Sequence, residues 1–313
     1  MSYFVDFNVS IVKLAFGLMT LGVFITSIFV IIFEKYLPRF LIDTYKYGKF
    51  AVKNPSKFII VVPKSWFRHF YIVGTICTGM TMVIMINGCL FGRKPPALLL
   101  SFLDVVDSKK RIPSGSAVGS VVGISLLFVH CIARLWETHF ISVFSQSNIN
   151  IVHYVCGIVH YIGSAVAILA EAPGFSHGAE CSFSWNELTF AECCVVFIFG
   201  LASFEQLKCS IILASLRKNK TGAVRTYKHS IPTGRLFEVL SSPHLVAEII
   251  MYMALTYILR SNQTWWFIFT WVLTNQIISL CLQCAVAWMN HKWYQNNFPG
   301  YPKVRKALIP YVF

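Results

Sequence analysis

LRKNKTGAVRTYKHSIPTGRLFEVLSSPHLVAE, residues 216–248, is a polar, basic stretch set between two long apolar runs. It carries Arg217, Lys218, Lys220, Arg225, Lys228 and Arg235, with Gly222 and Gly234 as turn points and Pro232 and Pro243 as breakers. A cationic connector at a membrane surface, with glycines that let backbone approach a ligand, suits a phosphate-bearing cofactor or anionic headgroups. The same charges can instead orient a membrane protein and bind nothing. Charge alone leaves both readings open.

Composition decides what kind of chain surrounds this connector. Of 313 residues, 56% are hydrophobic and 13% charged, too little polar surface for a soluble protein of this length. The expectation is an all-α polytopic membrane protein forming a single membrane-embedded domain over residues 1–313. The net charge of +14 does not point to nucleic acid, because the cations lie between apolar runs and no recognition module accompanies them. Of the ten cysteines, Cys77, Cys89, Cys131, Cys156, Cys209, Cys281 and Cys284 lie in apolar runs and read as small buried hydrophobes. Cys193 and Cys194 are adjacent and no CxxC pairs with a second, so neither structural zinc nor a disulfide framework is expected.

About seven transmembrane helices are predicted, over Ser10–Phe33, Phe70–Phe91, Ala117–Trp136, Ile149–Leu169, Ala191–Ser215, Leu245–Ile258 and Trp265–Trp288. The first lacks a basic leader and a small-residue cleavage site, and is expected to be retained. The short apolar piece Ala97–Val106 is too short to cross. The segment Glu34–His69 carries Lys35, Arg39, Lys46, Lys49, Lys53, Lys57, Lys64 and Arg68, whereas Glu171–Glu192 holds glutamates and no Lys or Arg. Positive charge marks the cytosolic side, which puts the N-terminus lumenal and the C-terminus cytosolic. The loop with Arg93, Lys94, Lys109, Lys110 and Arg111 runs against that rule. A sequon at Asn262 lies hard against the membrane and is expected to be unused.

Ionisable residues inside apolar runs are costly and are therefore candidates for function. His130, Arg134 and Glu137 follow one another by about a helical turn and could present a base, a cation and an acid to one cavity. The structural alternative is Arg134 paired with Glu137 and His130 satisfied in the bundle. His153 and His160 share a helix face, but without a third ligand they make a poor metal site. Glu205, Gln206, Lys208 and Glu248 are expected to line a polar chamber open to the cytosol, or to neutralise one another, for instance Glu205 with Lys208. No nucleophile elbow, Walker loop or dinucleotide-binding GxGxxG is present in a usable context.

Several motifs carry a resemblance. LRKNK at Leu216, YKHSIP at Tyr227–Pro232, GRLFEVLSSPHLVAE at Gly234–Glu248 and the ending WYQNNFPGYPKVRKALIPYVF closely resemble the C-terminal half of steroid 5α-reductases. VPKSWFRHFYIVG at Val62–Gly74 and HCIARLWETHFISVFS at His130–Ser145 extend the resemblance to the branch of that family that acts on polyprenoids. The resemblance implies a seven-helix reductase of the endoplasmic reticulum membrane, with a reductase core over 117–313 and an NADPH cavity built mainly by 191–313. It also implies hydride delivery to an α,β-unsaturated carbonyl. For this branch the substrate is the α-isoprene unit of a polyprenal or polyprenol, leading toward dolichol for protein N-glycosylation. Membrane lipids are the other partner, and no obligate protein partner is evident.

Carried over by position, the resemblance assigns Arg217, Lys218, Tyr227, His244, Glu248, His291 and Tyr294 to the cofactor, with His244 replacing the family's usual asparagine. In the third predicted helix His130 and Arg134 match. Cys131 stands where steroid-reducing members place a tyrosine, which disfavours a steroid as main substrate. The proton donor falls among His130, Glu137 and Tyr71, with His130 preferred. Structural alternatives are topology-fixing for Arg217 and Lys218, a first-turn cap for Glu248, and an interface-belt aromatic for Tyr294. The rival functions are 3-oxo-Δ4-steroid 5α-reduction and a seven-helix receptor or transporter. The latter would show inverted hydropathy repeats, which the chain lacks.

Overall fold

The computed structural model describes residues 9–45, 59–113, 115–176, 180–228, 230–281, 295, 298–302 and 305. Helices dominate: α1 (Ile11–Phe33), α2 (Arg39–Tyr45), α3 (Phe67–Cys89), α4 (Ala97–Val106), α5 (Ala117–Trp136), α6 (Ile151–Ala170), α7 (Phe190–Ser215), α8 (Pro243–Ile258) and α9 (Gln263–Cys281). Each of the seven apolar runs forms a helix over its described residues, the last as far as Cys281. Five, namely α1, α3, α5, α6 and α7, are long and apolar enough to cross a membrane. At 16 residues α8 is shorter, about 24 Å at 1.5 Å per residue. The piece at Ala97–Val106 is a helix with those bounds, too short to span.

Local chemistry sets several helix starts. Ser116 and Asn150 accept a backbone N–H as the N-caps of α5 and α6, and Thr189 with Glu192 makes a reciprocal capping box on α7. Pro243 opens α8, where its missing N–H costs no helical bond. This start puts Glu248 in the second turn of α8, so the first-turn cap considered for it does not apply. Two three-residue strands, β1 (Val61–Pro63) and β2 (Asn148–Asn150), pair antiparallel with Val62 opposite Ile149. They clip the entry to α3 onto the entry to α6.

The bundle is built from α7 against α8, α3 against α5 and α6, and α1 against α9. Phe16, Met85, Leu103, Ile124, Phe199 and Trp265 are fully buried in its core. Leu14, Leu18, Val129, Phe197 and Leu201 expose apolar faces outward, the arrangement of a protein whose solvent is lipid. Two glycines of α6 allow close approach of aromatic rings. A Cβ on Gly163 would lie 2.4 Å from the Phe16 ring of α1, and one on Gly157 2.7 Å from the Phe70 ring of α3.

At the end of the bundle away from residues 216–242, carboxylates tie the helices together. Glu171 accepts the backbone N–H of Gln263 (2.7 Å) and Thr264 (2.9 Å), capping α9 from the end of α6. Asp107 accepts Ser10 Oγ at 2.5 Å and Thr264 Oγ1 at 3.2 Å. Lys13 of α1 pairs with Glu171 at 3.4 Å.

Gly163→Val should lower stability by about 2 kcal/mol, because the buried Phe16 ring has no free space to enter. Gly200→Ala, where nothing lies within 4 Å, should be neutral or slightly stabilising. Thermal unfolding of the two variants in detergent compares them, and equal effects would refute the packing argument.

Candidate active site

The polar residues that fall inside the apolar helices converge where α3, α5, α7 and α8 meet. Arg134 of α5 donates to Tyr71 Oη from Nε (3.2 Å) and Nη2 (3.1 Å), and its guanidinium also lies 5.1 Å over the Tyr71 ring. Its Nη1 forms an ion pair with Glu137, which is 1% exposed in its side chain. The same Glu137 oxygen accepts Ser210 Oγ of α7 at 2.8 Å. A buried carboxylate facing a guanidinium and a hydroxyl is satisfied as an ion, which fixes the orientation of the arginine. The pairing of Arg134 with Glu137 considered from the sequence is thus present, with Tyr71 and Ser210 added.

The backbone changes where this cluster sits. After Trp136 the helix widens into a π-turn over Glu137–Ile141, with Ser142 N–H bonding Glu137 O at 2.8 Å. Such turns are rare and cluster at functional sites. Carbonyls at the end of the turn and just past it meet the connector: Lys218 Nζ donates to Ile141 O at 3.0 Å and Arg217 Nη1 to Val143 O at 2.6 Å.

A second group lies beside the first. His160 Nε2 and Tyr252 Oη are 2.7 Å apart, and Tyr252 stacks on Trp265. His130 is 2% exposed and meets the Tyr252 ring edge-on at 6.2 Å. Neither ring nitrogen of His130 has a hydrogen-bond partner among the described residues. Cys131 is fully buried against α3, and a Cβ on Gly74 would lie 3.1 Å from its Sγ and 2.9 Å from the Tyr161 ring. The Tyr161 ring meets the Tyr71 ring edge-on at 5.5 Å. Tyr71 Oη accepts two N–H groups of Arg134, which leaves its own proton to donate.

The expected chamber of Glu205, Gln206, Lys208 and Glu248 divides. Gln206 Nε2 donates to Glu248 Oε2 at 2.9 Å and to His244 O at 3.4 Å, so these three meet between α7 and α8. Glu205 turns outward to an ion pair with Arg235, not with Lys208, whose ammonium lies 5.0 Å over the Phe204 ring. Helical i, i+3 spacing permitted the Lys208 pair, but the folded connector brings a bidentate guanidinium to the same carboxylate. The pair holds the Arg235 guanidinium above its ordinary pKa. It also accompanies an Arg235 backbone at φ 52, uncommon for a side chain with a Cβ.

The connector is folded in its own right. Asn219 Oδ1 accepts Thr221 N–H (3.1 Å) and Ala223 N–H (2.9 Å) around Gly222 at φ 84, and Lys218 bridges to Val224. Arg305, 1% exposed, donates to Pro232 O at 2.8 Å and reaches Glu238 at 3.6 Å. Tyr301 Oη and Ser241 Oγ are 2.7 Å apart, so Tyr301 and Arg305 both join the connector. Tyr227 is 46% exposed, outside the buried cluster. His291 and Tyr294 lie outside the described residues. Sequence reasoning missed Ser210, Tyr161, Tyr252 and Arg305 as members of these networks. The polar spacing within α6 and α8 was the available signal for the tyrosines. Between α5 and α7 an open apolar groove of about 410 Å³ runs past Val129, Gly200 and Ser203 to Ala133 and Leu207, the sequence neighbours of Arg134 and Gln206.

Comparisons with known proteins bear on this site. A family described as 3-oxo-5-alpha-steroid 4-dehydrogenase matches residues 174–313. A polyprenal reductase of Drosophila melanogaster is 33% identical over 315 residues, covering 98% of this chain and 94% of the relative. The polyprenal reductase of Homo sapiens is 32% identical over 279 residues (87% of this chain, 85% of the relative). That of Caenorhabditis elegans is 31% identical over 297 residues, 94% of each chain.

Removing the cation alone should be worse than removing the pair. Arg134→Met strands Glu137 and should cost about 3 kcal/mol of stability, whereas adding Glu137→Leu should restore at least half of that loss. A double variant no more stable than Arg134→Met, measured by thermal unfolding, would show that the ion pair does not organise the cluster.

Proposed function

The chain belongs to the steroid 5α-reductase family, in its polyprenal reductase branch, and we propose that it saturates the α-isoprene double bond of a polyprenal or polyprenol with NADPH. It is an oxidoreductase that reduces polyprenoids. In this reading it is a seven-span protein of the endoplasmic reticulum membrane, N-terminus lumenal, whose product feeds dolichol and so protein N-glycosylation. The observation that carries it is the Tyr71 hydroxyl held by Arg134 beside the unpartnered His130.

The residues present fit NADPH. Lys220, Arg225 and Lys228 are exposed on the connector around Gly222 and suit its phosphates, next to Arg217 and Lys218, which hold the π-turn. Glu248 with Gln206, and His244 beside them, supply polar groups between α7 and α8 for an amide-bearing ring. Tyr227, His291 and Tyr294 complete the set proposed for the cofactor. When bound, the cofactor supplies the hydride.

The chain's own residues do the rest. Hydride addition at the β-carbon of an enal moves the electron pair of the double bond toward the carbonyl oxygen, which needs a donor in a water-poor site. Tyr71 provides that donor, since the two N–H groups of Arg134 occupy its lone pairs and the same guanidinium stabilises the developing charge. The α-carbon then takes a proton, which we assign to a ring N–H of His130. Glu137 and Ser210 act as positioning residues for Arg134. The groove between α5 and α7 suits an isoprenoid tail, being apolar and opening on the lipid side. A steroid is the second reading, favoured by the family description alone and disfavoured by a thiol at Cys131.

With purified protein, NADPH and a polyprenal, the wild type should consume NADPH and give product saturated only at the α-isoprene unit. Tyr71→Phe should lower kcat about 100-fold with little change in KM. Undiminished kcat in Tyr71→Phe removes it as carbonyl donor. Turnover of a 3-oxo-Δ4-steroid but not of polyprenal would overturn the substrate.

A further inference from the structure

Cys89 and Cys181 stand 92 positions apart in sequence (89 to 181) yet meet at the carboxylate end of the bundle. Cys89, the last residue of α3, is 6% exposed, and its Sγ lies 3.9 Å from Pro173 O. Cys181 packs on the same turn from the other side. A Cβ added to Gly174, which sits at φ 84, would come within 2.9 Å of Cys181 Cβ. The two cysteines therefore contact successive residues of one turn, Pro173 and Gly174, within interaction range of each other.

The turn they share is itself held in place. Arg111, 8% exposed, donates to Phe175 O at 2.9 and 3.3 Å and pairs with Asp104, while Glu171 caps α9. A Cβ on Gly88 would lie 2.8 Å from the Phe175 ring, so the end of α3 also packs on this segment. Both side chains thus sit on one turn that Arg111 and the end of α3 hold in place. Sulfurs brought together in this way need little backbone movement to bond.

We propose that Cys89 and Cys181 form a disulfide that staples the segment at Cys181 to the end of α3. This rests on the orientation given above, which places this end of the bundle in the oxidising lumen. The step balances simply. Each thiol loses a proton and an electron, one S–S bond forms, and a disulfide of a lumenal thiol oxidoreductase takes up both electrons and both protons as two thiols. The bond revises the sequence expectation that no disulfide forms, because Cys89 reads as a buried hydrophobe until the fold brings Cys181 to it.

The full chain, in sealed endoplasmic-reticulum vesicles and treated with N-ethylmaleimide before lysis, is digested without reductant and analysed by mass spectrometry. The expected result is a linked peptide pair holding Cys89 and Cys181, two hydrogens lighter than the sum of the free thiol peptides. Reduction should lower the Tm of the purified protein by about 5 °C, with no such shift in Cys181→Ser. In Cys89→Ser, a membrane-impermeant maleimide should reach Cys181 only after the vesicles are opened. Maleimide on both cysteines of the wild type, with Cys181 protected in sealed vesicles, overturns the disulfide and leaves the orientation standing. Labelling of Cys181 in intact vesicles overturns the orientation, and the disulfide with it.

Discussion

A guanidinium buried among apolar helices must be surrounded by acceptors, and Arg134 imposes that demand on three helices at once. Desolvating it costs several kcal/mol unless every side of the group is met. Tyr71 meets it from α3, Glu137 from the π-turn of its own chain, and Ser210 of α7 meets the carboxylate in turn. One cation thereby sets the rotation of α3 and α7 relative to α5. Arg68 extends the arrangement by donating to Thr138 O at 3.0 Å, tying the start of α3 to the same turn. The polar centre is therefore both the structural keystone of this half of the bundle and the place where charge can be stabilised.

The opposite end solves the mirror problem with carboxylates. Helix N-termini carry unsatisfied N–H groups and partial positive charge. Glu171 takes those of α9, and Ser10, which accepts Lys13 N–H at 3.1 Å, caps α1 while donating to Asp107. Both carboxylates are nearly inaccessible. Aromatic rings fill the space beside these polar anchors, and Phe16 of α1 and Trp265 in the first turn of α9 are both fully buried.

How much of this the sequence discloses depends on the range of the interaction. Helix positions follow from unbroken apolar runs, so α5 has the bounds read from hydropathy and α7 begins one residue earlier, at Phe190 rather than Ala191. The pairing of Arg134 with Glu137 was legible because it is local. Ser210 on Glu137 and Arg235 on Glu205 join residues far apart in sequence, and no periodicity encodes them. The π-turn was equally hidden, since Glu137–Ile141 reads simply as the fraying end of a helix. His130 stood out as an ionisable group in an apolar run, but its lack of a partner is a property of the packed helices alone.

Packing also divides the cations of the connector into two kinds that composition treats alike. Arg217 and Lys218 donate to the carbonyls of Val143 and Ile141, so part of their hydrogen-bonding capacity goes to holding the π-turn in which Glu137 sits. Lys220, Arg225 and Lys228 project from a turn that Asn219 has already closed. The first pair therefore couples the connector mechanically to the polar centre, and the second set gives it an electrostatic surface. An anion drawn to that surface binds a loop whose other end is fastened to the turn positioning Arg134. The cations of the basic stretch thus answer to different partners, one pair to backbone carbonyls at and after the π-turn and the other set to whatever meets the connector's outer face.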